Sequence, residues 1–550
     1  MAFAAPLGAE PRIRSFGVKN AASYALAEEG GIAPGSMFVV QGIGLGPEQL
    51  VQATPPYPSR LPEDALGTEV TVVSADGLPR TAWLVYSWNW QLAAILPSDI
   101  PLGPADLTVS YAGETSEPHR IQIVPRAPGL FTTSMTGGGP AVAQIFHSPD
   151  EQPLNGLTRP VLPGQWLILW ATGLGAIHGP DNEPPPIGTV DPDLVVEIGS
   201  LRLKPFYAGR APGYPGLDQI NVWIPPDAEL PDDCYTPVRL RTGEYVSREA
   251  AVTTGNAPGA CPHPLGLSPD VLARLDAGGR ASIAAISLTA SRLEAPPNGA
   301  AGGAASGVRP RITAWLYSLT APYLFFVPSA AQSGEPGCTL TQGGTIVRIS
   351  DDIPPPPPAS PFRGVDAGDA LSLAGPGGRT LDLTKAADFA DTGLYRHDPL
   401  PEDFLAPGSW TITAPGGPDA GPFSATTRFP GLPPIDLPGE IDRAQDLVLT
   451  WPAGGYAPED FFTVAVSSAH SPPDDPGTHI FTSVRCGVPA SAGALTIPAS
   501  LLAQLPGTES AQIRVTHVPV PSQIAPITAT GIDAGWFAFS VLKTRMVEMR

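Results

Sequence analysis

The stretch Ile32-Ala-Pro-Gly-Ser-Met-Phe-Val-Val-Gln-Gly-Ile-Gly-Leu-Gly46 returns without a gap as Val161-Leu-Pro-Gly-Gln-Trp-Leu-Ile-Leu-Trp-Ala-Thr-Gly-Leu-Gly175, an offset of 129 residues. Further on, Gln91-Leu-Ala-Ala-Ile-Leu-Pro97 returns as Gln219-Ile-Asn-Val-Trp-Ile-Pro225 at an offset of 128. Two separated motifs that keep nearly one register mark a duplicated domain. Each copy reads as a Pro-Gly turn, a hydrophobic strand and a Gly-Leu-Gly turn, followed by strands of alternating polarity such as Leu107-Thr-Val-Ser-Tyr111 and Arg120-Ile-Gln-Ile-Val124. A short strand with one apolar face needs a second sheet over it. The expected fold class is therefore all-β, a tandem series of immunoglobulin-like β-sandwich domains.

Composition agrees with that grammar. The 550 residues exceed one hydrophobic core and suggest about four domains. Pro (70) and Gly (60) are abundant, but 42% of residues are hydrophobic, so they read as turn punctuation between strands rather than as disorder. A balance of 31 basic against 52 acidic residues gives a net charge of −21, which repels nucleic acid and anionic lipid. No run of 18 apolar residues spans a bilayer as a helix. The opening residues 1–14 read as a signal-peptide remnant or an N-terminal tail, and the scarce Lys and plentiful Thr, Ser and Pro suit a secreted or cell-surface protein.

The duplicated sandwiches are placed at 15–126 and 127–258. A third, 259–430, is read from Arg280–Thr289, Ile312–Tyr317, Gly408–Thr413 and Phe423–Thr427. It carries two low-complexity loops, one rich in Ala and Gly (295–307) and one with a polyproline run (351–358). After the linker Pro430–Pro434 a fourth sandwich, 431–550, is read from Leu447–Trp451, Phe462–Val466 and Ala511–Thr516, with one short helix at Ala499–Leu505.

Several motifs carry a family resemblance. Val18-Lys-Asn-Ala-Ala-Ser-Tyr24, Ile32-Ala-Pro-Gly-Ser36, Arg126-Ala-Pro-Gly-Leu-Phe131, Ala171-Thr-Gly-Leu-Gly175 and Tyr214-Pro-Gly-Leu-Asp-Gln-Ile-Asn-Val222 resemble the Solibacter-type C-terminal domain family, an uncharacterised module of secreted acidobacterial proteins. The resemblance covers residues 16–258 and implies an extracellular Ig-like sandwich with no established activity. Gln91-Leu-Ala93 departs from the family's Gln-Ile-Asn, which Gln219-Ile-Asn221 keeps. Residues 262–545 resemble companion modules of such proteins, notably at Ala406-Pro-Gly-Ser-Trp410 and Ala414-Pro-Gly-Gly417.

The chemistry-bearing residues give no catalytic set. The histidines (119, 147, 178, 263, 397, 470, 479 and 517) form no H-x-H or H-E-x-x-H pattern, and no G-x-S-x-G elbow occurs. Gly42-Ile-Gly-Leu-Gly46 lacks nucleotide-loop spacing and reads as a β-turn. The four cysteines show no C-x-x-C spacing, which favours disulfides over zinc. Cys234 and Cys261 would close a loop of 27 residues, worth about 3 kcal/mol, the alternative being two buried thiols. Cys338 and Cys486 form a second candidate pair, which would clamp the third and fourth sandwiches. Acidic loops (Asp181–Glu183, Asp191–Asp193, Asp232–Asp233 and 473–476) read as solvated surface charge, with calcium as the alternative. No other cofactor is implied.

Two ligand-binding candidates stand out. Gln219 and Asn221 share a strand face, where they would hold sugar hydroxyls or tie down a neighbouring loop. Trp88 and Trp90 are also expected on one strand face, as core or as a sugar-stacking platform. The expected function is a non-catalytic extracellular structural or adhesive surface protein, possible as a homo-oligomer or fibre formed through sandwich contacts. Two alternatives are a carbohydrate-binding or accessory module on a surface glycan, and a secreted hydrolase with its site in the loops of 295–400.

Overall fold

Strand alternation sets each sheet's two faces, and the duplication keeps them in register. In the computed structural model Met37–Ile43 pairs with Gln91–Ile95 so that Met37, Val39 and Gln41 oppose Ile95, Ala93 and Gln91. In the second copy Trp166–Thr172 pairs with Asp218–Trp223, and Trp166, Ile168 and Trp170 oppose Trp223, Asn221 and Gln219. The two offsets, 129 and 128, thus map one cross-strand register onto the other.

The structure describes residues 10–28, 30–64, 66–185, 187–188, 190–294, 307–327, 337–347, 361–386, 393–397, 399–454, 456, 460–470 and 478–550. The start of the N-terminal tail, most of the Ala/Gly-rich loop, the polyproline run and the acidic turn at 473–476 lie outside these. The described residues fall into two units. One contains 10–279 with 321–326, the other 280–320, Val327, Gly337–Val347 and 361–550.

The first unit holds the two repeats, each a sandwich of two antiparallel sheets. In the first, the sheet ordered Arg12–Asn20, Met37–Ile43, Gln91–Ile95, Trp83–Ser87, Val51–Gln52 faces a sheet centred on Thr68–Val73 and Gly103–Tyr111. Phe38, Val40, Leu84 and Leu92 from one side meet Val70, Val72, Leu107 and Val109 from the other. In the second, Leu167, Leu169, Ile220 and Val222 meet Val196, Ile198, Val238 and Leu240 in the same way. Burying a Val or Leu side chain contributes about 1.5–3 kcal/mol, so these two layers carry most of each repeat's stability. Cys234 and Cys261 are joined, with Cα atoms 5.2 Å apart. Beyond Cys261, Ser268 caps a helix, Pro269–Asp276, that buries Val271, Leu272 and Leu275.

The second unit has one large hydrogen-bonded sheet network and a separate two-stranded pair, Leu447–Thr450 with Ala494–Ile497, over two cores. One core takes Leu288, Ile312, Leu373, Trp410 and Phe429; the other takes Trp451, Phe462, Val484, Ile497 and Ile513. The sequence boundary at 430/431 does not part their strands. Ala534–Met549 runs parallel to Arg280–Glu294, and it places Phe537, Phe539 and Val541 in the first core but Val547 and Met549 in the second. Its 16 residues are long enough to serve both. Cys338 and Cys486, also joined, are direct partners on the neighbouring strands Gly337–Val347 and Thr478–Pro489, so this disulfide staples adjacent strands of one sheet.

Candidate functional site

The two copies of one sheet face differ in what covers them. In the first repeat that face carries Met37, Val39, Ala93 and Ile95, and the last three are buried with Ala21, Tyr57 and Val85 against Phe131 of the second repeat. Gly216, with φ +74°, lies so close that a Cβ there would come within 2.8 Å of Ile95. This apolar face of the first repeat is therefore the joint between the repeats.

Polar groups lock that joint. The Met37 N–H donates to Thr172 Oγ1 (3.0 Å), Asn20 Nδ2 to the Ala127 carbonyl (2.9 Å), and the Tyr57 N–H to the Asn182 carbonyl (2.8 Å). Arg210 and Asp218, only 1% and 0% exposed, form an ion pair, and Arg210 Nη2 also donates to Gly35 and Gly175 carbonyls. Asp181 accepts from the Ser98 N–H and hydroxyl, both at 2.6 Å. Burial pushes its carboxyl above the ordinary value, against the pull of those bonds and of Arg210. Asp191 is buried beside Arg126, 3.4 Å away. Asp181 and Asp191 are thus not the solvated surface charges expected from sequence: each sits in a polypeptide-lined site. Asp232 accepts from the Asn256 N–H at 2.7 Å.

In the second repeat the same face is open. Trp166, Ile168 and Trp170 project outward from one strand, Trp223, Asn221 and Gln219 from the next, with Phe146 and Phe206 at the sides. All of these but Trp223 line a groove of about 450 Å³. Trp166 lies 5.6 Å from Phe206 edge to face and 5.1 Å from Trp223, and Phe206 is 81% exposed. Trp170 Nε1 donates to Gln144 Oε1 (2.9 Å), which fixes the indole. Gln219 Nε2 donates to Asn221 Oδ1 (3.0 Å), leaving Gln219 Oε1 and Asn221 Nδ2 without a partner among the described residues. Every groove-lining side chain is uncharged.

Of the sequence-derived candidates, Gln219 and Asn221 stand together in this groove. They bond to each other, not to a loop backbone. Trp88 and Trp90 do not share a strand face: both fall in the turn between Trp83–Ser87 and Gln91–Ile95, because the first strand ends at Ser87. There the Trp88 indole donates to the Glu48 carbonyl and the Trp90 carbonyl accepts from Gly42 N–H, bracing the Gly42–Gly46 turn. The residues that the sequence reading passed over are Trp166, Trp170 and Trp223. Their signal was present as Trp166 and Trp170 four positions apart on one strand and Trp223 two positions after Asn221 on the next, all on one face.

Two further polar hollows each contain an ion-paired cation. A hollow of about 650 Å³ beside Tyr57 and Trp83 includes Arg60, which is bonded to Glu69. One of about 430 Å³ in the second unit includes Lys385, bonded to Asp366. Among the described histidines, His119 bonds to Glu28, His263 to Tyr235 (2.9 Å) and His397 to the Asp382 carbonyl. Among the described residues no group of three or more His, Cys, Asp or Glu is placed to hold a metal ion, and no helix is long and apolar enough to cross a membrane.

No family model and no curated protein matches this chain. Solved structures similar to it include a tetra-tandem repeat in the extending region of a large adhesion protein (10% identity, 98% of both chains, TM-score 0.13). Others are SGBP-B from a complex xyloglucan utilization locus in Bacteroides uniformis (9% identity, 98% of this chain and 99% of that one, TM-score 0.15) and domains 4–9 of the surface layer protein SbsC (9%, 96% and 83%, 0.15). At such scores these similarities assign neither ligand nor activity, and the all-β sandwich class rests on the strand pairings above.

Proposed function

We propose that this chain is a non-catalytic extracellular protein that adheres to a surface glycan through the outer sheet face of its second sandwich. The observation that carries the reading is the uncharged groove in which aromatic rings flank two amides with a free acceptor and a free donor. Sugar rings offer apolar faces for stacking and hydroxyls for amides, so both kinds of group are matched at once. Two disulfides suit an oxidising, extracellular setting. A duplicated Solibacter-type module over residues 16–258 belongs to the same reading.

A glycan array probed with the full chain tests it. The expected result is a discrete set of bound polysaccharides, weakened at least tenfold by Asn221→Ala and by Phe206→Ser, with unchanged unfolding curves because both side chains lie outside the core. Binding to nothing, or binding indifferent to both substitutions, would sink the reading. The locked joint between the repeats favours a second role, that of a rigid spacer on the cell surface. Fibre formation through sandwich edges belongs to that role, and negative-stain images of the purified chain check it.

A further inference from the structure

The same backbone register carries two different side-chain sets, and the difference says what each face meets. Where the face packs on polypeptide, the matched positions on these two strands are Val39, Ala93 and Ile95, with Tyr57, Trp83 and Tyr86 packed beside them. Where it is open, those positions are Ile168, Asn221 and Trp223, and Met37 and Gln41 are replaced by Trp166 and Trp170. Only Gln91 and Gln219 are alike. Aromatics and amides at the open positions suit a ligand with flat apolar surfaces and many hydroxyls.

The layout narrows the ligand. Aromatic rings occupy two stations on one strand, Trp166 with Trp223 and Phe206 at one end and Trp170 at the other. Positions i and i+4 of a strand stand roughly 13 Å apart, about the length of three linked hexopyranose rings. The two amides lie between and beside these stations, because Asn221 opposes Ile168 and Gln219 opposes Trp170. No cation or anion lines the groove, in a chain whose net charge is −21. A polyanionic sugar chain therefore gains no ion pair here and meets a repulsive field.

Building on the glycan reading, we propose that the groove takes an internal stretch of a neutral, unbranched β-1,4-linked hexopyranose chain, with rings stacked at both aromatic stations and hydroxyls on Gln219 and Asn221. A β-1,4-linked chain is extended and presents ring faces along a flat sheet. A branched or coiled one does not.

Titration calorimetry on the full chain with linear β-1,4-linked gluco-oligosaccharides of two to six units, and with polygalacturonate, tests this. Affinity is expected to rise at least tenfold from two to four units and then level off, with no polygalacturonate binding. Trp170→Ala should remove the gain from lengthening, and Trp170→Phe should restore part of it. The Phe variant and the unfolding midpoint separate loss of a station from loss of fold. Length-independent affinity, or preference for polygalacturonate, overturns the proposal while leaving a glycan site. Failure of every sugar, on the array as well as here, overturns the glycan reading itself.

Discussion

Arg210 Nη2, in the second repeat, donates to the Gly35 carbonyl of the first at 2.6 Å. Gly35 belongs to the Pro-Gly turn of the repeated motif and has φ +71°, and a Cβ there would come 2.5 Å from Arg210 Nη2. The equivalent turn of the second copy, at Gly164, has open space around it. One sequence motif thus serves as a docked turn in the first repeat and as a free turn in the second. The pattern matches the covered and open sheet faces beside them.

Removing Arg210 leaves Asp218 buried with its charge unmatched. Breaking a buried pair from one side costs about 3–5 kcal/mol. Arg210→Ala should therefore lower the stability of the first unit by that order, read from denaturant unfolding. Arg210→Met with Asp218→Leu should cost less than the single change, since it removes the orphaned charge. A single-variant loss under about 1 kcal/mol would show that the pair adds nothing to the joint.

The disulfide between Cys234 and Cys261 closes a 27-residue loop that ends beside the helix Pro269–Asp276. Loop-closure entropy makes it worth about 3 kcal/mol. Cys234→Ala with Cys261→Ala should lose that amount in denaturant unfolding under oxidising conditions. The gap between the double variant and the native chain should close when a strong reductant is added to both.

Legibility differed by the range of the interaction. The duplicated strands were readable because alternation and turn residues are local, and Gly103–Tyr111, Phe423–Phe429 and Phe461–His470 form where their patterns lie. Gln219 and Asn221 were readable as a pair because period-two geometry puts them on one face. Trp88 and Trp90 were misplaced because alternation holds only while a strand continues, and Ser87 ends it. The joint was not readable at all. Its buried acids Asp181 and Asp191 sit in polar loop sequence, and only the packing of one repeat on another takes them out of water. The shared terminal strand was missed for a similar reason: its partner Arg280–Glu294 is some 250 positions away, as the Ser282 to Asp533 bond shows with a separation of 251.

His263 should make acid stability pH-dependent in a defined direction. Its Nε2 meets Tyr235 Oη at 2.9 Å, its Nδ1 accepts from the Leu265 N–H, and burial pulls it down to about 4. In the unfolded chain the ring titrates at its ordinary value near 6.5. Between those values the unfolded state binds more protons, so stability is full above about 6.5 and falls as the pH drops toward 4, by up to about 3 kcal/mol. His517, in the second unit, is also lowered by burial, partly offset by Asp460, and adds a loss of the same sign. The His263 part is therefore read as a difference. His263→Gln keeps a hydrogen-bonding side chain but does not titrate, so its unfolding free energy should fall less steeply than that of the native chain between pH 7 and 4. Parallel curves for the two proteins over that range would show that His263 is protonated as easily folded as unfolded, and that its burial against Tyr235 does not resist charge.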